Sequence, residues 1–226
     1  MKLIVVGSTG FVASEIIRQA VSLPDVTSIY ALGRREISAP PSLGPEANAS
    51  KLKSVILEDF DRTIAVSPSK LKSVTWEQTC KISRDYAIKG IDVISHLPRK
   101  EKTKPLRFIY TSRANAERDQ SKKPLILGDY CLMRDAENKI LAYARESNGK
   151  VEACAAKAGI IEDPNNTPVL TKMGRIIIRT ISGLPKITVG VISAALLDQA
   201  LRGFEKDTIT NEDMIRVGER ILAARK

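Results

Sequence analysis

The chain is poor in the residues that most metal and redox chemistry needs. It has 226 residues, with a single histidine and only three cysteines, Cys80, Cys131 and Cys154. No two cysteines have the close spacing of a zinc knuckle or a CxxC motif, which excludes the usual zinc patterns and points to reduced thiols in a cytosolic compartment. Aromatic residues make up 4% of the sequence, too few for a stacking platform that holds single-stranded nucleic acid. No run approaches the roughly 18 apolar residues that span a bilayer. The apolar segment after Met1 and Lys2 ends in a glycine turn after Val6 and is too short for a signal-peptide core. These absences predict a soluble, cytoplasmic protein with no stable membrane insertion.

The apolar share, 43%, supports a packed core of ordinary size. The formal charge is +10, spread along the chain with local concentrations between Arg99 and Arg107 and between Arg118 and Lys123. Both clusters fall where loops are expected and read as solvated charge, with an anionic partner as the alternative. A nucleic-acid or membrane-surface binder driven by this charge is the weakest functional reading, because neither a recognition motif nor a basic amphipathic helix accompanies it.

Along the chain, apolar β-rich runs alternate with segments of helical period. Strands are expected at Lys2–Val6, Thr27–Ala31, Lys53–Glu58, Arg107–Thr111 and Lys150–Ala156. Helices are expected at Phe11–Ser22, Thr75–Ile94 and Tyr130–Glu146. Near-continuous apolar strands between helices predict a doubly wound parallel sheet of the α/β class. The last third reads as helices at Asn165–Thr180, Val189–Gly203 and Asn211–Arg225, with Asn211 as the expected cap of the last. The whole chain, 1–226, is read as one dinucleotide-binding domain, with 160–226 as a helical lobe on the substrate side.

The sharpest motif is Gly7-Ser8-Thr9-Gly10-Phe11-Val12-Ala13. It directly follows a strand and opens a helix, the context that lifts a glycine pattern above chance. Gly7 permits the tight turn, Gly10 admits a pyrophosphate to the helix N-terminus, and Ala13 is small enough for close helix–strand contact. A tight β-α turn without a ligand is the plain alternative. The second strand ends in Gly33-Arg34-Arg35 rather than in the acidic residue that would hold the ribose hydroxyl of NAD. Two guanidinium groups suit a 2′-phosphate, so NADP is favoured over NAD.

The stretches MKLIVVGSTGFVASE, ALGRR, RFIYTSRANAE and GDYCLMRDAEN resemble the extended or atypical short-chain dehydrogenases. Within them the sequence is similar to the Tat-interacting-protein-like oxidoreductases and to fungal relatives found near secondary-metabolite genes. The resemblance implies a Rossmann core, bound NADP, a small carbonyl or alcohol substrate, and in some members a homodimer. It assigns Ser112 to the serine that orients the substrate oxygen and Tyr130 to the acid/base tyrosine. Arg134 occupies the position of the family lysine, which lowers the tyrosine pKa and holds the nicotinamide ribose. Arginine keeps the charge but is bulkier and planar. Lys157 matches a basic residue beside the nicotinamide, in a segment that lacks the usual proline, and Asp59 matches an acidic position near adenine.

The sequence departs most from that pattern after Asp59. Only Phe60, Asp61 and Arg62 separate it from Thr63, where a fourth strand begins in the pattern. Three residues reach roughly 10 Å when extended. The crossover to the far side of the first strand takes about 14 Å sideways alone. The sheet is therefore expected to be shortened by loss of the strand-3 to strand-4 crossover. An evolutionary deletion, a gene model lacking part of an exon, or an altered strand order would each account for it. The loss also raises a second functional reading, a non-enzymatic NADP sensor or scaffold that keeps the loop without the chemistry.

Overall fold

The computed structural model describes residues 1–40, 43–56, 84–98, 104–114, 116, 130–163 and 184–225. Thr63–Val66, Asn165–Thr180 and the crossover after Asp59 lie outside the described residues. The described elements follow in the order β1 (Lys2–Val6), α1 (Phe11–Ala20), β2 (Ser28–Gly33), β3 (Leu52–Ile56), α2 (Tyr86–His96), β4 (Leu106–Arg113), α3 (Tyr130–Glu146), β5 (Val151–Ala158), β6 (Ile160–Glu162), β7 (Lys186–Thr188), α4 (Val189–Arg202), β8 (Thr208–Ile209) and α5 (Asn211–Ala223). A single 3₁₀ turn, Ala49–Lys51, leads into β3.

All described strand pairs are parallel, and they form two main half-sheets. One has the order β1-β2-β3 and the other β4-β5-β8, with a small β6-β7 pair beside them. This is the α/β, Rossmann-type architecture expected from the alternation of strands and helices. The described parts of the sheet are short and open, and no described strand joins β1 to β4.

Helix α4 connects the two halves. Its Leu197 packs into the cluster of Val5, Ile17, Ile29 and Ala31 around β1, β2 and α1. Its Ile192, Ala195 and Leu196 pack with Cys154, Ala156 and Ile209 of the other half-sheet. A helix can serve two sheets in this way only if it is apolar around most of its girth; from Ile192 to Ala200 every residue of α4 is buried. Alanine at 153, 155, 156 and 158 keeps β5 thin, so helices approach it closely from both faces. A third cluster, Ala87, Ile91, Ile140, Leu141, Val151 and Ala153, seats α2 and α3.

Two local expectations are corrected. The cap of α5 is Thr210, not Asn211. The Thr210 side chain accepts from the Asp213 N–H and the Asp213 carboxylate accepts from the Thr210 N–H, forming a reciprocal capping box. Asn211 is buried and spends its amide on the Gly159 N–H at 2.9 Å and on the Lys186 carbonyl at 3.1 Å. Arg107, the end of the first basic cluster, is not loop charge. It lies in β4 and donates to the Ala200 and Leu201 carbonyls at 3.0 and 2.8 Å, and it pairs with Glu152 at 3.1 Å. A cation there also complements the negative end of α4.

Candidate active site

The carboxyl ends of parallel strands are where open α/β sheets bind ligands. Here those ends carry the glycine loop after β1, Arg34 and Arg35 after β2, Ser112 in β4 and Lys157 in β5.

The glycine loop is built as its sequence requires. Gly7 has φ +71°, a left-handed conformation that a side chain disfavours, and a Cβ there would meet nothing within 4 Å. The need for glycine is conformational, and the space above it is open. The Gly10 N–H closes the turn onto the Gly7 carbonyl at 2.7 Å, and the Ser8 N–H ties the loop to the Leu32 carbonyl at 3.1 Å. Gly10 caps α1 without a side-chain hydrogen bond. Among the described residues no side chain caps the positive end of α1, a geometry that fits a pyrophosphate. Ala13 packs against the cluster around β1 and α1, as close helix–strand contact demands.

Gly33 matters for a different reason. A Cβ there would lie 2.6 Å from the Ser8 hydroxyl, so the end of β2 and the glycine loop are in contact only because position 33 has no side chain. Ser8 is buried, and its hydroxyl finds no hydrogen-bond partner among the described residues. Arg34 and Arg35 follow at once and are exposed. Both arginines thus directly follow the one residue of β2 that touches the glycine loop.

The second half of the site centres on a residue that the sequence reading passed over. Ser112 and Lys157 are register partners across β4 and β5, and both side chains converge on Glu137 of α3. Ser112 is 3% exposed and Glu137 0%. The Ser112 hydroxyl donates to one carboxylate oxygen of Glu137, and the Lys157 ammonium lies 3.5 Å from the other. Lys157 also donates to the Ala116 carbonyl. A buried carboxylate needs a counter-charge and hydrogen bonds to persist, and here it has both. Tyr110, on the same strand as Ser112, has its phenol pKa pushed far up by burial and then by the Glu137 charge.

Tyr130 and Arg134 stand in the first turns of α3, seven and three positions before Glu137. The structure thus places both on the helix that meets Ser112. Asp59 lies outside the described residues. Among the described residues no cluster of histidine, cysteine or carboxylate could hold a metal ion, and no helix is long and apolar enough to cross a membrane.

No family model matches the chain, and no curated protein matches it in sequence. Solved structures do match in fold. MoeE5 in complex with UDP-glucuronic acid and NAD superposes with a TM-score of 0.62 at 14% identity, covering 92% of this chain and 74% of that one. Vestitone reductase from alfalfa gives 0.62 at 17% identity, with the same coverage of 92% and 74%. The reductase domain of PhqB from Penicillium fellutanum gives 0.58 at 15%, covering 94% and 67%. The chain shares the Rossmann-type α/β fold of these solved structures.

Proposed function

We propose that this chain is an NADP-dependent oxidoreductase of the short-chain dehydrogenase type, acting on a small carbonyl or alcohol. One observation carries the reading: an uncapped helix N-terminus behind an open glycine turn, with Arg34 and Arg35 beside it, shares the strand-end face of the sheet with Ser112. Bound NADP supplies or accepts the hydride. Gly7 and Gly10 give the pyrophosphate a close approach, and Arg34 and Arg35 hold the 2′-phosphate through charge-assisted bonds. The resemblance assigns Asp59 to the adenine.

Tyr130 exchanges a proton with the substrate oxygen, and the positive charge of Arg134 favours its phenolate form. Ser112 fixes the position of that oxygen. Residues 160–226 close the substrate side and set the choice of substrate, and the fungal relatives make secondary metabolism the setting. The test is incubation with NADPH and a panel of small ketones, with Tyr130→Phe as the control. Turnover by the wild type that falls at least 100-fold in the variant supports the assignment; equal turnover removes Tyr130 from the chemistry.

The arginine at 134, in place of the family lysine, favours one other reading: a protein that binds NADP without turnover. Calorimetry showing NADPH binding, together with no oxidation of NADPH by any ketone, would select it.

A further inference from the structure

Ser112 is assigned above to orienting the substrate oxygen, yet its hydroxyl proton is already committed. It is donated to a fully buried carboxylate. A serine hydroxyl has one proton to donate and two lone pairs that accept. With the proton given to Glu137, Ser112 has only lone pairs left for a ligand.

Glu137 is fixed in turn. The second oxygen of its carboxylate faces the Lys157 ammonium at 3.5 Å, and that ammonium is held by the Ala116 carbonyl just beyond β4. The backbone around the serine is pinned as well: the Ala114 N–H donates to the Ala158 carbonyl at 2.8 Å, and the Ala116 N–H to the Arg113 carbonyl at 3.0 Å. Three elements, β4, β5 and α3, thus meet at one hydrogen-bonded, ion-paired point that includes the assigned serine.

We propose that Glu137 is the positioning residue of this site: with Lys157 as its counter-ion, it accepts the hydrogen bond of the Ser112 hydroxyl and so leaves the serine as a hydrogen-bond acceptor toward the substrate. The matching ligand is a donor, the hydroxyl of an alcohol or of a protonated phenol. The serine receives an O–H instead of giving one to a carbonyl, so the site holds the alcohol side of the reaction more firmly than the carbonyl side. This inference rests on the oxidoreductase reading. It also gives Lys157 work that does not involve nicotinamide.

The experiment is a mutant cycle in the full-length protein with NADP(H) and the alcohol–ketone pair turned over best by the wild type. Ser112→Ala, Glu137→Gln and the pair combined are compared for kcat and KM in both directions. Because Glu137→Gln alone leaves the part-buried Lys157 ammonium without its counter-charge and can destabilise the fold, the double variant Glu137→Gln/Lys157→Met is included, with thermal melting to verify folding. Loss of a residue that orients an active group costs about 10- to 100-fold.

The expected result is that the neutral double variant melts like the wild type but loses kcat by about that factor. Adding Ser112→Ala should cost nothing more, and KM for the alcohol should rise more than KM for the ketone. If restoring the fold restores the rate, or if the Ser112 and Glu137 losses multiply, Glu137 is only a packing residue and the proposal fails. A wild type that binds NADPH but turns over no substrate overturns the oxidoreductase reading, and this inference with it. A wild type that turns over while Glu137 variants do not differ overturns the inference alone.

Discussion

Gly33→Ala tests whether the glycine loop and the end of β2 form one binding surface. The added methyl would lie 2.6 Å from the Ser8 hydroxyl, where ordinary contact begins at 3.4 Å, and 3.5 Å from the Arg35 carbonyl. Relief requires a shift of about 0.8 Å, the difference of the two Ser8 distances. Ser8 is buried, and its own N–H is bonded to Leu32, so its hydroxyl can yield only by rotating within packed surroundings or by shifting together with the loop. Overpacking of this kind costs about 1–3 kcal/mol. Displacing a phosphate cradle by most of an ångström should weaken NADPH by roughly 10- to 100-fold. Calorimetric titration with NADPH and thermal melting measure the two effects.

The Ser8 hydroxyl is the clashing atom and has no partner among the described residues. Ser8→Ala should therefore cost little alone and should recover most of both losses when combined with Gly33→Ala. A Gly33→Ala protein that melts and binds like the wild type would refute the reasoning. So would a double variant as impaired as the single one, because the clash would then not be with Ser8.

Removing both guanidinium groups, in Arg34→Ala/Arg35→Ala, should weaken NADPH by about 10- to 100-fold, as expected for charge-assisted bonds worth about 1.5–3 kcal/mol. NADH should change by less than about threefold; parallel fluorescence titrations decide it, and equal losses for both cofactors would reject the 2′-phosphate contact. Thr210→Ala should cost about 1 kcal/mol of stability by removing the α5 cap, read from urea unfolding. The Asp213 carboxyl is held below its usual pKa, first by the Thr210 N–H and also by Lys206. Its folded pKa is lowered, so its contribution is complete above the unfolded value and fades as pH falls through the folded one. The melting difference between wild type and Asp213→Asn should therefore be present at neutral pH and shrink in acid. Gly218→Ala would put a methyl 2.2 Å from the Val191 carbonyl between α4 and α5; backbone cannot rotate away, and loss of cooperative melting is expected.

The elements most legible in the sequence were those with a strong local pattern. The bounds of β1 and α3 agree with their expected bounds, and α4 and α5 differ only at the C-terminal end. The glycine loop was readable because a left-handed turn between strand and helix admits few residue types, and Gly7 shows the φ that explains it. The α5 cap was misread because Thr210 and Asn211 are both good capping residues. Only the tertiary partners of Asn211, Gly159 and Lys186, decide which one turns inward. Glu137 escaped notice for a related reason. In the run Arg134-Asp135-Ala136-Glu137-Asn138-Lys139 it looks like one more solvated charge, and its burial depends on strands more than twenty residues earlier and fourteen later. The usable signal was its place seven residues after Tyr130, on the same helical face by backbone register.

The bridging role of α4 has a consequence for how the two cofactor-facing halves are spaced. Among the described residues, β1 and β4 share no hydrogen-bonded ladder, while α4 packs on both half-sheets. Its Ala195 lies against the β5 side and its Leu197 against the β1 side. Because buried packing transmits changes of even one methylene, a substitution at either position would be felt at both the glycine-loop half and the Ser112 half.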